Sequence, residues 1–468
     1  MKEMMTMIPT FEKALSLLEG RLLTYHEVVH TLKEYQLNQH LSELLERADK
    51  QPAILTKPTM CCQRCNNQVL DRFEQLTADK HYCLNCLNMG RILQGEYLYS
   101  LRERISNAPQ KSASELLTWQ GQLSAEQARA ANDLINSLAD PQHPHSIIAV
   151  TGAGKTEMIF PVIAKVLAAG GRVAIASPRI DVCRELYPRL QTAFAYTDSC
   201  LLYGGTDTPY DSVPLIVSTT HQLLRFAEAF DLLIVDEVDA FPYAGDESLH
   251  FAVKRAVKAE GKLVYLTATP DKTLEKAMRK KEITSTTLPA RYHGFPLPEP
   301  VYYWLGDWRK AIRKQQNNSK LARLLKEFSQ IQGVKLIFMP NIYLAECLFA
   351  WLQTLLPQQS LACVHSKDPD RKIKVQAVRE GTVELLISTT ILERGVTFTN
   401  CHVCIVGAES KLFSRAALVQ MSGRVGRKQD FPTGTLIYAH EGVSLAMASA
   451  RKQIKLMNQQ ARARGLIK

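Results

Sequence analysis

Ala149-Val-Thr-Gly-Ala-Gly-Lys-Thr156 follows directly on an apolar run that begins Ser146-Ile-Ile. An apolar strand that empties into a glycine-bearing turn and then a Lys-Thr pair has the layout of a loop that wraps phosphates. Gly152 and Gly154 permit close backbone approach and dihedrals that other residues resist. Lys155 then offers a charge to the β- and γ-phosphates of ATP. Thr156 offers a hydroxyl to Mg²⁺, and the helix that starts here turns its N–H groups toward the phosphates. Thr151, Gly152, Ala153, Gly154, Lys155 and Thr156 are the candidate cradle. Position 149 is Ala where the general pattern has Gly, and a small residue is tolerated there because it lies at the strand end.

Outward from this loop, short apolar runs alternate with helix-length intervals. Arg172-Val-Ala-Ile-Ala, Pro214-Leu-Ile-Val, Leu232-Leu-Ile-Val and Lys262-Leu-Val-Tyr-Leu lie downstream of it. Such runs predict a parallel sheet covered on both faces. A proline-bearing stretch, Leu288-Pro-Ala-Arg-Tyr-His-Gly-Phe-Pro-Leu-Pro-Glu-Pro300, interrupts the rhythm and reads as a linker. The alternation resumes with Val334-Lys-Leu-Ile-Phe-Met, Leu361-Ala-Cys-Val, Glu384-Leu-Leu-Ile-Ser, Val403-Cys-Ile-Val and Thr435-Leu-Ile-Tyr. Two tandem α/β domains are expected. Residues 1–60 instead read as amphipathic helices, ended by Pro52 and Pro58.

The 468 residues carry 57 Lys plus Arg against 46 Asp plus Glu, a net charge of +11, with 46% hydrophobic and 22% charged residues. That balance excludes disordered, collagenous and fibrous chains. No apolar run approaches the roughly 18 to 20 residues of a membrane span. Lys2, Glu3, Glu12 and Lys13 among the first apolar residues do not make a signal peptide, so secretion is not expected. The surplus charge points only weakly to a polyanionic partner. Arg451–Lys468 holds six basic residues and no acid, and Arg309–Lys326 is also basic; both read as solvated helix faces.

Two further patterns carry chemistry. Leu233-Ile-Val-Asp-Glu-Val-Asp239 ends a buried strand with acids, where Asp236 would support Mg²⁺ and Glu237 would orient and deprotonate the attacking water. Cys62-x-x-Cys65 and Cys83-x-x-Cys86, 17 residues apart, have the spacing of a four-thiolate Zn²⁺ site. Cys61 and His81 are spare ligand types nearby. Cys401-His-Val-Cys404 has the same gap but no second pair, and reads as strand core.

The order of these motifs resembles that of the superfamily 2 helicases, which carry two RecA-like domains. Leu123-Ser-Ala-Glu-Gln127 looks like their adenine-reading segment, with Gln127 on the base. Ala176-Ser-Pro-Arg179 and Ser218-Thr-Thr-His221 resemble nucleic-acid contacts, which implies DNA binding by Arg179, Thr219 and Thr220. Thr267-Ala-Thr-Pro270 looks like the link between hydrolysis and strand binding. Val364-His-Ser366 and Ser388-Thr-Thr-Ile391 fall where the family touches the sugar-phosphate backbone, which implies His365, Thr389 and Thr390. Gln420-Met-Ser-Gly-Arg-Val-Gly-Arg427 is similar to the arginine motif; Gln420 would join the nucleotide site. Arg424 and Arg427, three apart, would share one face if helical and could stabilise charge on the γ-phosphoryl.

The cysteine module placed before the motor, with Asp236-Glu-Val-Asp-Ala-Phe-Pro242, Arg291-Tyr-His-Gly294 and Leu392-Glu-Arg-Gly-Val-Thr-Phe398, resembles the late-competence ComFA family of transformable Gram-positive bacteria. Thr397 stands where many superfamily members have Asp. The resemblance covers about residues 55–450; with the helical pattern of the N-terminus, the expected division is a helical N-terminal region (1–60), a zinc module (61–110), a first RecA-like ATP-binding domain (111–287), a linker (288–300) and a second RecA-like domain (301–468). The resemblance implies an ATP-driven translocase or helicase on single-stranded DNA in DNA uptake. Its setting would be cytoplasmic, with peripheral placement at the membrane and competence-machinery partners as further implications. Replication restart of the primosomal type and a nucleotide-gated DNA-binding scaffold are the alternatives. The oligomeric state is not read from the sequence.

Overall fold

Strands buried on both faces need continuous apolar sequence, and each short run rich in Val, Ile and Leu forms one. A computed structural model describes residues 10–77, 80–101, 111–206, 208–394, 396 and 398–467. Thr397 lies outside the described residues. The first sheet holds β1 (His145–Ala149), β2 (Val173–Ser177), β3 (Ser199–Leu202), β4 (Leu215–Thr219), β5 (Phe230–Asp236), β6 (Val257–Thr267) and β7 (Thr284–Leu288), in the order β3-β4-β2-β5-β6-β1-β7. Its pairings from β3 through β6 are all parallel.

The second sheet holds β8 (Val301–Trp304), β9 (Val334–Phe338), β10 (Leu361–Val364), β11 (Leu385–Ser388), β12 (Cys401–Val406) and β13 (Leu436–His440). Its order is β8-β13-β12-β9-β11-β10, parallel throughout. The two sheets with their helices are the tandem α/β folds expected from the sequence. By packing, the chain divides into residues 1–147 with 156–286, and residues 287–468 with 148–155.

In the unit of the first sheet, the helices Phe11–Leu18, Tyr25–Glu34 and Leu41–Arg47 precede the cysteines. Thr24 caps the second in a reciprocal box with Glu27. Strand Tyr97–Ser100, past the cysteines, lies between Leu22–Thr24 and Asp49–Pro52 and pairs antiparallel with both. The cysteine segment is thus an insertion closed off by a sheet. Leu18, Leu23, Cys62 and Cys86 share one core with Ile216 and Leu233 of the first sheet and with Phe226 between them.

In the other unit, the two basic stretches are amphipathic. Helix Lys320–Ser329 buries Leu321, Leu325 and Phe328, and helix Leu445–Ala463 buries Met447, Ile454 and Ala461. Asn458 from the latter accepts from Leu297 N–H (2.8 Å) and donates to Leu297 C=O (3.0 Å), which ties down the proline-bearing stretch. Cys401 and Cys404 lie in β12 with no exposed surface to speak of, and burial pushes both thiols up to about 12. No helix among the described residues is long and apolar enough to cross a membrane.

A buried ion cluster is centred on Glu27, which pairs with Arg64 and with Arg225 Nε at 2.7 Å. Exposed pairs such as Arg47–Glu43 contribute at most about 1 kcal/mol. For Glu27, burial pushes the carboxyl up, but Arg64 and Arg225 outweigh it and hold it at about 2 rather than 4.5. A depressed carboxylate stabilises fully above its unfolded pKa and loses that contribution as pH falls through the folded value. The linked stabilisation is on the order of 3 kcal/mol. Between pH 4.5 and 2 the melting temperature of the parent chain should therefore fall more steeply than that of Glu27→Gln, the two curves converging in acid. Parallel curves would remove Glu27 from the acid response.

Candidate functional site

The phosphate-loop candidate leaves β1 and enters a helix at Lys155, and its two glycines have positive φ, +84° at Gly152 and +74° at Gly154. The required dihedrals are therefore ones that glycine adopts without strain. Gln127 is buried at the start of helix Ala125–Ser137, where its Oε1 accepts from Ser124 N–H at 2.9 Å and Ser124 Oγ accepts from Gln127 N–H. The S-x-x-Q spacing is itself a capping-box signal in the sequence. The box commits the side-chain oxygen to the helix end.

Asp236 closes β5, and its Oδ1 accepts from Glu237 N–H at 2.8 Å. Glu237 has φ +57°, an unfavourable value for a residue with a Cβ. Asp239 accepts from Thr267 Oγ1 (2.7 Å) and Thr269 Oγ1 (2.5 Å). The acidic loop is thus hydrogen-bonded to the Thr-Ala-Thr segment after β6, a link that motif order alone does not assign to Asp239. Asp236 and the Thr156 hydroxyl have the hard oxygen chemistry that Mg²⁺ takes.

Arg179 and Thr219 converge at the carboxyl edge of the first sheet. β2 and β4 are neighbours in register, Ser177 opposite Thr219, and Arg179 comes two residues on. Tyr203-Gly204-Gly205 leaves β3 at the same edge, since Leu202 pairs with Ser218. Two glycines after a strand are the signal in the sequence that would have pointed to it. Thr220 is fully buried, so its hydroxyl is not displayed on the surface. Ser177 Oγ, Ser218 Oγ and Thr220 Oγ1 are buried with no hydrogen-bond partner. In the second sheet Val364 pairs with Ser388, which brings His365 and Thr389 side by side, with Thr390 next in chain. His365 Nε2 lies 3.2 Å from Glu346.

The arginine motif departs from expectation. Helix Arg415–Ser422 carries Gln420 but ends at Gly423, so Arg424 and Arg427 lie in the turn beyond it and share no helical face. Gly426 takes φ +66°, and a Cβ there would stand 2.2 Å from the Pro432 carbonyl, so the helix has no way to continue. The turn is held from inside by Arg291. Its Nη1 donates to Val425 C=O at 2.7 Å and to Gly426 C=O, and Nη2 to Gly423 C=O at 3.2 Å. His293 Nε2 adds Gly426 C=O at 3.1 Å. Burial, then Arg427, lowers Arg291 to about 9. An arginine in a proline-rich stretch gives no sequence signal for this.

Cys62, Cys65, Cys83 and Cys86 are all buried, with their sulfurs within 4.8 Å of one another. Cys62 and Cys86 Sγ are 3.8 Å apart, and Cys65 and Cys83 3.5 Å. A tetrahedral Zn–S length of about 2.3 Å sets the S–S edge near ~3.8 Å, so the donor set fits Zn²⁺. Hydrogen bonds from Cys65, Cys83 and Cys86 drive the Cys62 thiol far below its ordinary range. Cys61 instead faces Asn66 Oδ1, and His81 pairs with Gln94, so neither spare joins the cluster.

Residues 124–277 match the family described as DEAD/DEAH box helicase, and 317–429 match Helicase conserved C-terminal domain. Solved structures share the fold. S. cerevisiae Dbp5 bound to RNA and ADP BeF3 superposes with a TM-score of 0.52 at 17% identity, covering 74% of this chain and 93% of that one. RecG bound to a three-way DNA junction gives 0.50 at 19%, covering 76% and 50%. The chain is a nucleotide-hydrolysing helicase-type enzyme of superfamily 2, a class that binds nucleic acid.

Residues 10–100 match the competence protein ComFA N-terminal domain. The chain is 43% identical to competence protein ComFA of Streptococcus pneumoniae over 94% of its own length and 98% of that protein's. It is 43% identical to that of Bacillus subtilis over 86% of each. It belongs to the ComFA family.

If Arg291 holds the turn that presents Arg424 and Arg427, Arg291→Gln should lower kcat for ATP by roughly tenfold to a hundredfold with little change in KM. Steady-state hydrolysis across ATP concentrations would separate this from a lost nucleotide site, which raises KM instead. Elemental analysis should find about one zinc per chain, and Cys62→Ser with Cys65→Ser should remove it. Protein isolated without chelator and free of zinc would contradict the metal assignment.

Proposed function

We propose that this protein is an ATP-driven translocase on single-stranded DNA that acts in DNA uptake during natural transformation. The observation that carries the proposal is the family relationship over nearly the full chain, from the cysteine module through both sheets. The residue roles come from position. Residues 151–156 cradle the triphosphate, with Gln127 and Gln420 completing the nucleotide site. Glu237 takes the proton of the attacking water. Thr156 and Asp236 hold Mg²⁺, which when bound neutralises phosphate charge. Arg424 and Arg427 offset the charge that develops on the γ-phosphoryl. The domain limits we assign are those expected from the sequence: 1–60, 61–110, 111–287, 288–300 and 301–468.

The strand would run along the carboxyl edges, past Arg179, Thr219 and Thr220 on the first sheet and His365, Thr389 and Thr390 on the second. The register that sets Arg179 and Thr219 at one edge supports this. Such contacts read backbone and not sequence. Competence-machinery partners and a place at the inner face of the cytoplasmic membrane belong to the same reading.

Lys155→Ala and Glu237→Gln should each abolish DNA-stimulated ATP hydrolysis while DNA binding persists. Hydrolysis is to be measured with single-stranded DNA, duplex DNA and RNA side by side. Stimulation by the first is expected to dominate. Stimulation by duplex or RNA alone would move the protein to a different task, and full hydrolysis in either variant would overturn the mechanism.

A further inference from the structure

We infer that the four-cysteine module positions the strand-contacting segment of the first sheet, and that Arg255 is the residue that transmits the position. The inference rests on the proposed strand contacts at that edge and gives the module a task within them.

The segment in question is the turn Thr220–Arg225, which continues β4 beyond Thr219 and runs into Phe226. Arg255, in the last turn of helix Glu247–Ala256, spends its whole guanidinium on backbone carbonyls. Nη2 donates to Leu224 C=O at 2.7 Å and Nε to Phe226 C=O at 3.1 Å, which holds the carboxyl end of that turn. Nη1 donates to Gln63 C=O at 3.0 Å and Arg64 C=O at 2.7 Å. Those two carbonyls belong to the residues between Cys62 and Cys65. One planar, rigid fork therefore joins the first metal-ligand loop to the turn.

A second connection reaches the same turn independently. Arg225, its last residue, donates through Nε to Glu27 at 2.7 Å and through Nη2 to Met89 C=O at 2.8 Å. Glu27 also binds the side chain of Arg64, inside the first ligand loop, and Met89 ends the turn Leu84–Met89 that carries Cys86. Both ligand loops thus grip one end of one short segment. The direction of the Gln63 and Arg64 carbonyls depends on the loop conformation that four convergent sulfurs impose. When the loop relaxes, Arg255 loses its anchor, and the turn that continues from Thr219 is no longer held at its carboxyl end. A module serving only as a lid would have no reason to end on this segment.

The test uses the full chain as Arg255→Lys, Glu27→Gln, the Cys62→Ser/Cys65→Ser pair, and the pair combined with Arg255→Lys. Zinc content, affinity for a fluorescent oligothymidylate and ATP hydrolysis without DNA are measured for each. Arg255→Lys should keep its zinc and hold DNA-free hydrolysis within about twofold. It should lose about tenfold in oligothymidylate affinity, the scale of one lost charged hydrogen bond. The cysteine pair should show the same loss without zinc, and adding Arg255→Lys to it should cost nothing more. A merely structural role would lower DNA-free hydrolysis together with binding. If Arg255→Lys does not fold, Glu27→Gln reads the same coupling from the other connection. Parental affinity in Arg255→Lys and Glu27→Gln beside a weakened cysteine pair would mean that the module touches DNA itself, and the inference fails. Parental affinity in the cysteine pair also defeats it. Arg179→Ala separates the underlying reading: unchanged affinity there means the strand does not cross this edge at all.

Discussion

Parallel pairing fixes where chemistry can occur in this protein. In a parallel sheet every strand ends on the same side, so the segment after each strand is delivered to one edge without further design. The phosphate loop after β1, Arg179 after β2, Tyr203-Gly204-Gly205 after β3, Thr219 at the end of β4 and Asp236 at the end of β5 are all products of that rule. The same holds for His365 after β10 and Thr389 after β11. The order β3-β4-β2-β5-β6-β1-β7 then sorts the edge. The strands preceding nucleic-acid candidates, β3, β4 and β2, lie together at one end, and β5, β6 and β1, which lead into the acidic loop, the Thr-Ala-Thr segment and the phosphate loop, are adjacent to one another. Asp239 bonded to Thr267 and Thr269 is the physical join between the acidic loop and its neighbour.

That logic explains why much of the fold is legible from residues alone. Apolar runs such as Leu232–Val235 declare strands locally, and residues such as Lys155 and Glu237 declare themselves by their place just beyond a strand. The two sheets and the four-cysteine cluster need no knowledge of distant contacts, because ligand spacing within each loop is local. The features that do not show are carried by pairings far apart in sequence. Strand Tyr97–Ser100 has neither length nor a long apolar run, and exists because two partners at Leu22–Thr24 and Asp49–Pro52 leave a slot for it. The expectation that Arg424 and Arg427 share a helix face applies correct periodicity to residues that are not helical. Gly423 and Gly426 are the available warning, since paired glycines beyond a helical run mark its end.

The arginines that act through carbonyls are invisible for a different reason. Arg291 and Arg255 each bind main-chain oxygens, and a main-chain acceptor leaves no trace in residue identity. A carboxylate partner would have invited recognition as an ion pair; a carbonyl belongs to any residue. The choice is physically reasonable. A carbonyl cluster solvates a guanidinium without a second buried charge, so one desolvation cost is incurred where an ion pair incurs two.

Lys262 and Lys335 follow a related pattern. Lys262 Nζ donates to the Asp140 and His143 carbonyls, both at 2.6 Å. Lys335 Nζ donates to the Ile331 carbonyl and to the half-exposed Glu384 carboxylate, both at 3.1 Å. The two lysines sit 2% exposed, one within β6 and the other at the start of β9. They pin loops at the ends where their strands begin, while Arg291 pins the turn after Ser422 and Arg255 the carboxyl end of Thr220–Arg225. A planar fork fixes several carbonyls in one plane, whereas an ammonium accepts whatever arrangement surrounds it. Lysine therefore suffices where a loop need only be closed. Arginine occurs here where a turn must hold its neighbours in a defined direction, and a lysine substitution at those positions removes direction while leaving charge.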